Sequence, residues 1–228
     1  MSGVVQLGQR ALENANVRGS ELCEAMERAA RPQLLWLHYL LGHRDTGTAR
    51  CLIEGVESAI REGTACLILG LARPALNSLR MQIDLTLSWL YFKDHPIEWE
   101  QIQQTGENFK LKKELLQYLK DWHPKFGARI GILLQIKRRK LSDPYRLLSA
   151  HMHGQNELSI PNIRSPADAL AKPEILAEVP LIQVECCEYL SDILWAVFGD
   201  HWRAVPTDLM SDLDGRFVTK AQKADFFK

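Results

Sequence analysis

Apolar residues recur at three- and four-residue spacing from Leu22 to Leu40 and again from Leu52 to Phe92, and no stretch of useful length alternates apolar with polar. A period near 3.6 puts such residues on one face of a helix, whereas a half-buried strand needs a period of two. The expected fold is therefore all-α, a helical bundle with a long central helix and a peripheral C-terminal tail. At 228 residues and 46% hydrophobic, the chain can fill one substantial core or two small ones, and one domain with a tail is expected.

Punctuation divides this pattern. Pro32 is expected to start or kink a helix, and Thr46 or Thr48 to cap the next. Gly63 and Gly70 are weak points in a long segment whose second part, about 65–93, is the expected central helix, ending near Asp94-His95-Pro96. Shorter amphipathic pieces follow at 97–104, 108–120 and 126–137, with Trp122-His123-Pro124 as a turn. Ser142-Asp143-Pro144 reads as a helix start, because Ser142 or Asp143 can cap free N–H groups and proline suits the first helical position.

Pro161, Pro166, Pro173 and Pro180 make 154–180 a long connection with one short helix at 167–172. Leu181 to Phe198 is a helix more apolar than one buried face requires, which marks it as a packing surface between subunits. Past Gly199 the apolar residues are too few for an independent core, so the tail reads as a peripheral helix, an arm or a partly disordered segment. The expected organisation is an N-terminal helical segment over 1–44, the bundle over 45–200 and the tail over 201–228. Trp36, Trp89 and Trp195 lie in strongly apolar helices and are assigned to core or dimer contacts.

Lys+Arg and Asp+Glu both number 28, so no global charge attracts a polyanion and any such site must be local. The five cysteines are odd in number and lack CxxC spacing, which favours buried thiols in a reducing compartment over disulfides or zinc. The N-terminus carries Arg10 and Glu13 where a signal peptide needs an apolar core, and the densest apolar region is interrupted by Arg73, Pro74, Arg80 and Asp84. A cytoplasmic protein without a membrane span is expected. His-Glu-x-x-His, a glycine-rich phosphate loop, a Gly-x-Ser-x-Gly elbow and a dinucleotide fingerprint are all absent, so neither a metal nor another cofactor is expected.

The chemically loaded stretch is Tyr145-Arg146-Leu147-Leu148-Ser149-Ala150-His151-Met152-His153-Gly154. It joins a fixed cation to groups that exchange protons near neutral pH. Cleavage of RNA by internal attack needs both: the 2′-hydroxyl loses a proton, the leaving 5′-oxygen gains one, and charge builds on the phosphoryl oxygens. With about 100° per helical residue, Arg146 and His153 lie nearly in line, while His151 sits about 140° away. On a regular helix His153 shares the face of Arg146, and His151 reaches the same cleft only from a dimer seam or a frayed end. Tyr145 and Ser149 are placed to orient phosphate or the histidine.

Both histidines satisfy an Arg-x4-6-His pattern, which resembles that of the HEPN superfamily. The stretch from Gly70 to Asp84, with Arg80 and Asp84 one turn apart and an apolar, aromatic run to Phe92 behind them, looks like the long central helix of a HEPN-like group of bacterial proteins. The resemblance covers roughly 45–200. It implies a dimeric helical bundle acting as a metal-independent endoribonuclease, an effector of a bacterial defence or toxin-antitoxin system with an antitoxin or other partner protein. It also implies His151 as the motif histidine where helix geometry favours His153, so both are retained.

The remaining cations are Lys137, Arg138, Arg139 and Lys140, just before the Arg/His helix, read either as a solvated helix end or as contacts to phosphates flanking the cleaved one. Arg80 is read with Asp84 as a structural pair, or as a second phosphate ligand; Arg73 can take either part. Many active HEPN members carry a polar residue directly after the arginine, where this chain has Leu147. The alternative reading is accordingly a catalytically silent helical protein that binds a partner protein or a nucleotide.

Overall fold

The computed structural model describes residues 3–43, 46–155, 157 and 159–228. Described residues form helices α1 (Gly3–His43), α2 (Arg50–Ile68), α3 (Ala72–Phe92), α4 (Pro96–Thr105), α5 (Lys112–Trp122), α6 (Phe126–Gln135), α7 (Pro144–His153), α8 (Pro173–Phe198), α9 (Thr207–Asp214) and α10 (Lys220–Phe227), with 3-10 turns at Pro166–Ala169 and Gly199–Ala204. No strand occurs among them, and none of these helices is long and apolar enough to cross a membrane. The all-α bundle follows from the helical period of the sequence. The expected boundary between 44 and 45 falls outside the described residues.

One hydrophobic core runs from Leu22 of α1 to Phe226 of α10. Trp36, Trp89 and Trp195 are its largest fully buried side chains, and Trp36 meets Trp195 edge-on with ring centroids 5.0 Å apart. Their polar ends are answered, Trp36 Nε1 donating to Ser191 Oγ at 2.9 Å and Trp89 Nε1 to the Thr46 carbonyl at 3.1 Å.

Several sequence boundaries move. The helix expected over 65–93 is two: α2 ends at Ile68, and α3 begins at Ala72. The break is Gly70, whose φ of +86° suits glycine and turns its carbonyl to accept from the Ala171 N–H at 2.8 Å. At Pro32 no helix starts: the proline lies inside α1, which spans 41 residues. A proline inside a helix costs roughly 3 kcal/mol. Buried Met26, Ala29 and Ala30 before it, with Trp36, Leu37 and Leu40 after it, lie in the same core cluster or beside it and offset that cost.

Pro180 is likewise inside α8, which starts at Pro173 rather than Leu181, and the short helix expected at 167–172 is the 3-10 turn at Pro166–Ala169. Neither Thr46 nor Thr48 caps α2; Ala49 precedes it without a side-chain cap. The apolar density of α8 is used within the protomer, since every residue from Tyr189 to Ala196 is buried, while Leu181 and Val184 stay exposed. Of the cysteines, all free, Cys186 and Cys187 are buried but Cys51 is exposed, because the first turn of α2 buries Leu52 and Ile53 instead.

The tail is helical and anchored. Leu209, Leu213 and Phe226 enter the core, and Arg129 of α6, buried, donates to the Phe226 carbonyl at 3.0 Å and to Asp200 at 2.6 Å. Arg216, just after α9, meets Asp192 of α8 at 2.7 Å, and Arg139 holds the other oxygen of the same carboxylate. Three charges buried together are tolerable only while mutually paired. Asp192→Ala should therefore destabilise the fold by about 3–5 kcal/mol in urea denaturation. Arg31→Ala, which breaks the exposed pair with Asp208, should cost under about 1 kcal/mol.

Candidate functional site

The Arg/His helix is α7. Pro144 supplies its first residue and Gly154, at φ +59°, its left-handed C-terminal cap. Asp143 precedes it but makes no side-chain cap; its carboxylate is gripped by Lys112 of α5 instead. Pro144 and Leu148 are the buried residues of α7, and they seat the helix beside α3 and α8.

That seating brings Arg80 of α3 against both ends of α7. Its guanidinium donates to Tyr145 Oη at 2.8 Å, meets His153 Nε2 at 3.1 Å and touches Met152 Sδ. Because a guanidinium only donates, His153 Nε2 is here an acceptor, and the neutral ring carries its proton on Nδ1. Arg80 Nε lies 3.4 Å from Asp84 Oδ2, and Tyr145 lies close enough to favour the charged Asp84 carboxylate. Arg80, Tyr145 and Asp84 thus close a ring of polar contacts across the α3–α7 seam. Burial pushes the Asp84 carboxyl up, opposed by Arg80, Tyr145 and Lys112.

Arg73, about two turns before Arg80, donates to the carbonyls of Met152 at 3.3 Å and Ser159 at 3.2 Å. The first is a free carbonyl of the last turn of α7, where a cation also suits the helix dipole. His151 is half-buried near this guanidinium, and its pKa is lowered, first by burial and then by Arg73.

Arg146 is exposed, and among the described residues its guanidinium has no hydrogen-bond or ion-pair partner. His153 is exposed too, apart from its contact with Arg80, while Ser149 is half-buried between them along α7. The structure therefore brings together Arg80, Asp84, Tyr145 and His153, with Arg146 at their border, and puts His151 on the Arg73 side.

The basic run does not join them. Arg139 is buried and paired with Asp192 and Glu188, so the expectation that it contacts flanking phosphate is corrected. Arg138 pairs with Asp212 at 2.8 Å, and Lys137 Nζ donates to the Arg139 carbonyl at 3.0 Å. The backbone N–H groups of 138, 140 and 141 are accepted by Glu188 and Glu185 of α8. The run is mainly a clamp onto α8, and only the Lys140 ammonium has no partner among the described residues.

Sequence reading missed Lys112, which grips Asp143 and lies 4.6 Å from the centre of the Tyr145 ring. Its place in α5, 31 positions from Asp143, leaves no local signal. Among the described residues no group of three or more histidines, cysteines or carboxylates is placed to hold a metal ion. Compared with protein-family models, with curated proteins and with solved structures, the chain matches none.

Tyr145→Phe removes the hydroxyl to which Arg80 donates and should destabilise the protein by about 1 kcal/mol in urea denaturation. In an NMR pH titration His151 should lose its proton at a midpoint below the ordinary ~6.5. A histidine with a lowered folded-state pKa binds its proton less well than in the unfolded chain, so its contribution to stability is complete above that range and falls as the pH drops through it. Arg73→Ala should move the midpoint back upward without restoring it fully, because burial remains.

Proposed function

We propose that this chain is a HEPN-type helical protein that cleaves RNA without a metal ion, with Arg146 and His153 of α7 as its working pair. The observation that carries the reading is the exposed Arg146, unpaired among the described residues, on the same helix face as His153, whose ring is held from α3 by Arg80. The seven-residue separation puts them about 10.5 Å apart along the helix axis, a span the long arginine side chain can reduce toward one phosphodiester.

In the proposed reaction a phosphate draws Arg80 toward itself and frees His153 Nε2. The imidazole then takes the proton of the 2′-hydroxyl, the 2′-oxygen bonds to phosphorus, and the bond to the 5′-oxygen breaks as that oxygen takes a proton from water, whose hydroxide is neutralised by the imidazolium. Arg146 and Arg80 stabilise the charge on the non-bridging oxygens. Products are a 2′,3′-cyclic phosphate and a 5′-hydroxyl. Two copies meeting along α7, as the resemblance implies, would let His151 of one serve beside Arg146 of the other. A role in bacterial defence or toxin-antitoxin systems rests on that resemblance alone.

A second reading is favoured by one observation: the Arg80 contacts lie on Asp84, Tyr145, Met152 and His153 of its own chain, an arrangement that also serves a silent partner-binding scaffold. The two separate on incubation of an RNA pool with the protein in EDTA, followed by analysis of the new ends. The nuclease reading expects cyclic-phosphate ends, with the rate lowered about 10²–10⁴-fold by His153→Ala. Arg146→Ala should lower it comparably, and sedimentation should give a dimer. A folded wild type that leaves RNA intact, or variants that cut as fast as it does, would sink the nuclease reading in favour of the scaffold.

A further inference from the structure

A cavity of about 220 Å³ opens between α5, α6 and α8, and neither Arg146 nor a histidine lines it. Its floor is apolar and closed, Phe126 and Ile193 being buried, while Leu116 and Ile130 line it half-exposed and Leu134 stands at the mouth, 43% exposed. Three cations, two carboxylates, Ser142 and Tyr189 complete the lining. Two of the cations are matched within it, Arg139 by Asp192 and Lys112 by Asp143. Lys120 is exposed and has no ion-pair partner among the described residues. One more donor is unanswered: Nε of Arg139 is buried without a hydrogen-bond partner.

We propose that this cavity is a binding site for a small organic monoanion, a carboxylate on an aryl or alkyl body, seated with the body on Phe126, Ile130 and Ile193 and the carboxylate at Lys120. Three properties select this class. The lining carries one surplus positive charge, so a single negative charge balances it, whereas a second would face Asp143 and Asp192. The apolar floor rewards a hydrocarbon body and leaves a wholly polar anion uncompensated. The volume lies below the ~300–1,000 Å³ typical of pockets for drug-sized molecules, which limits the ligand to fragment size. The site is also next to the start of α7, since Asp143 precedes that helix and Lys112, which grips Asp143, lies beside the Tyr145 ring.

The test is titration of the full chain with octanoate and with 4-phenylbutyrate, followed by amide and methyl NMR, which separates the alkyl from the aryl body. At least one should give saturable shifts centred on Leu116, Ile130 and Leu134 at millimolar concentration or below. Leu134→Trp should abolish them by filling the mouth. Lys120→Glu, which reverses an exposed charge, should weaken binding about tenfold, as should replacing the carboxylate by the corresponding alcohol. Both substituted side chains are exposed, so the fold is not at stake, and unchanged far-UV circular dichroism checks this. Shifts that do not saturate for either probe, that centre elsewhere, or that persist equally in both variants would overturn the proposal.

Discussion

Gln82 of α3 and Gln183 of α8 are both fully buried, and each donates its amide to the other's oxygen, at 3.0 and 2.8 Å. In an apolar interior such groups have no alternative partner in water, so a slip of one helix past the other would leave both unsatisfied, at about 1–3 kcal/mol per orphaned group. Apolar packing alone tolerates small slips. The amide pair does not, and it therefore sets the axial register of the central helix against α8. Arg80 and Asp84 lie two residues to either side of Gln82 on α3, so the same register decides where they meet α7.

Arginine does three different jobs in a chain of zero net charge. Arg129, Arg139 and Arg216 are buried and bind the C-terminal helices and the basic run to α6 and α8 through carboxylates and carbonyls. Arg73 and Arg80 are intermediate cases, holding α7 to α3 by its last-turn carbonyl and by Tyr145 and His153. Arg146 alone of these six is both exposed and unpaired among the described residues. The planar, five-donor guanidinium suits all three settings, and lysine would not replace it in the buried ones.

Part of the site was readable from the chain. The i, i+4 spacing of Arg80 and Asp84 announced their pairing, and Ser142-Asp143-Pro144 announced where α7 starts, because both are properties of one helical turn. The helical period likewise put Arg146 and His153 on one face. The fate of 137–140 was not readable: four cations in a row look solvated, and Arg139 is buried only because Asp192 and Glu188, about fifty positions later, come to meet it.

What the sequence determined by itself is the local order: helices throughout, Trp36, Trp89 and Trp195 in strongly apolar helices that bury them, and a loaded helix starting at Pro144. These depend on hydrophobic period and proline, which act over a few residues. Only the tertiary structure decided that α1 runs through Pro32, that Arg80 touches His153 rather than standing free, and that His151 and His153 have different surroundings. Those outcomes depend on what packs against each side chain from distant parts of the chain. Burial and pairing energies at such contacts exceed the local preferences that a linear pattern expresses.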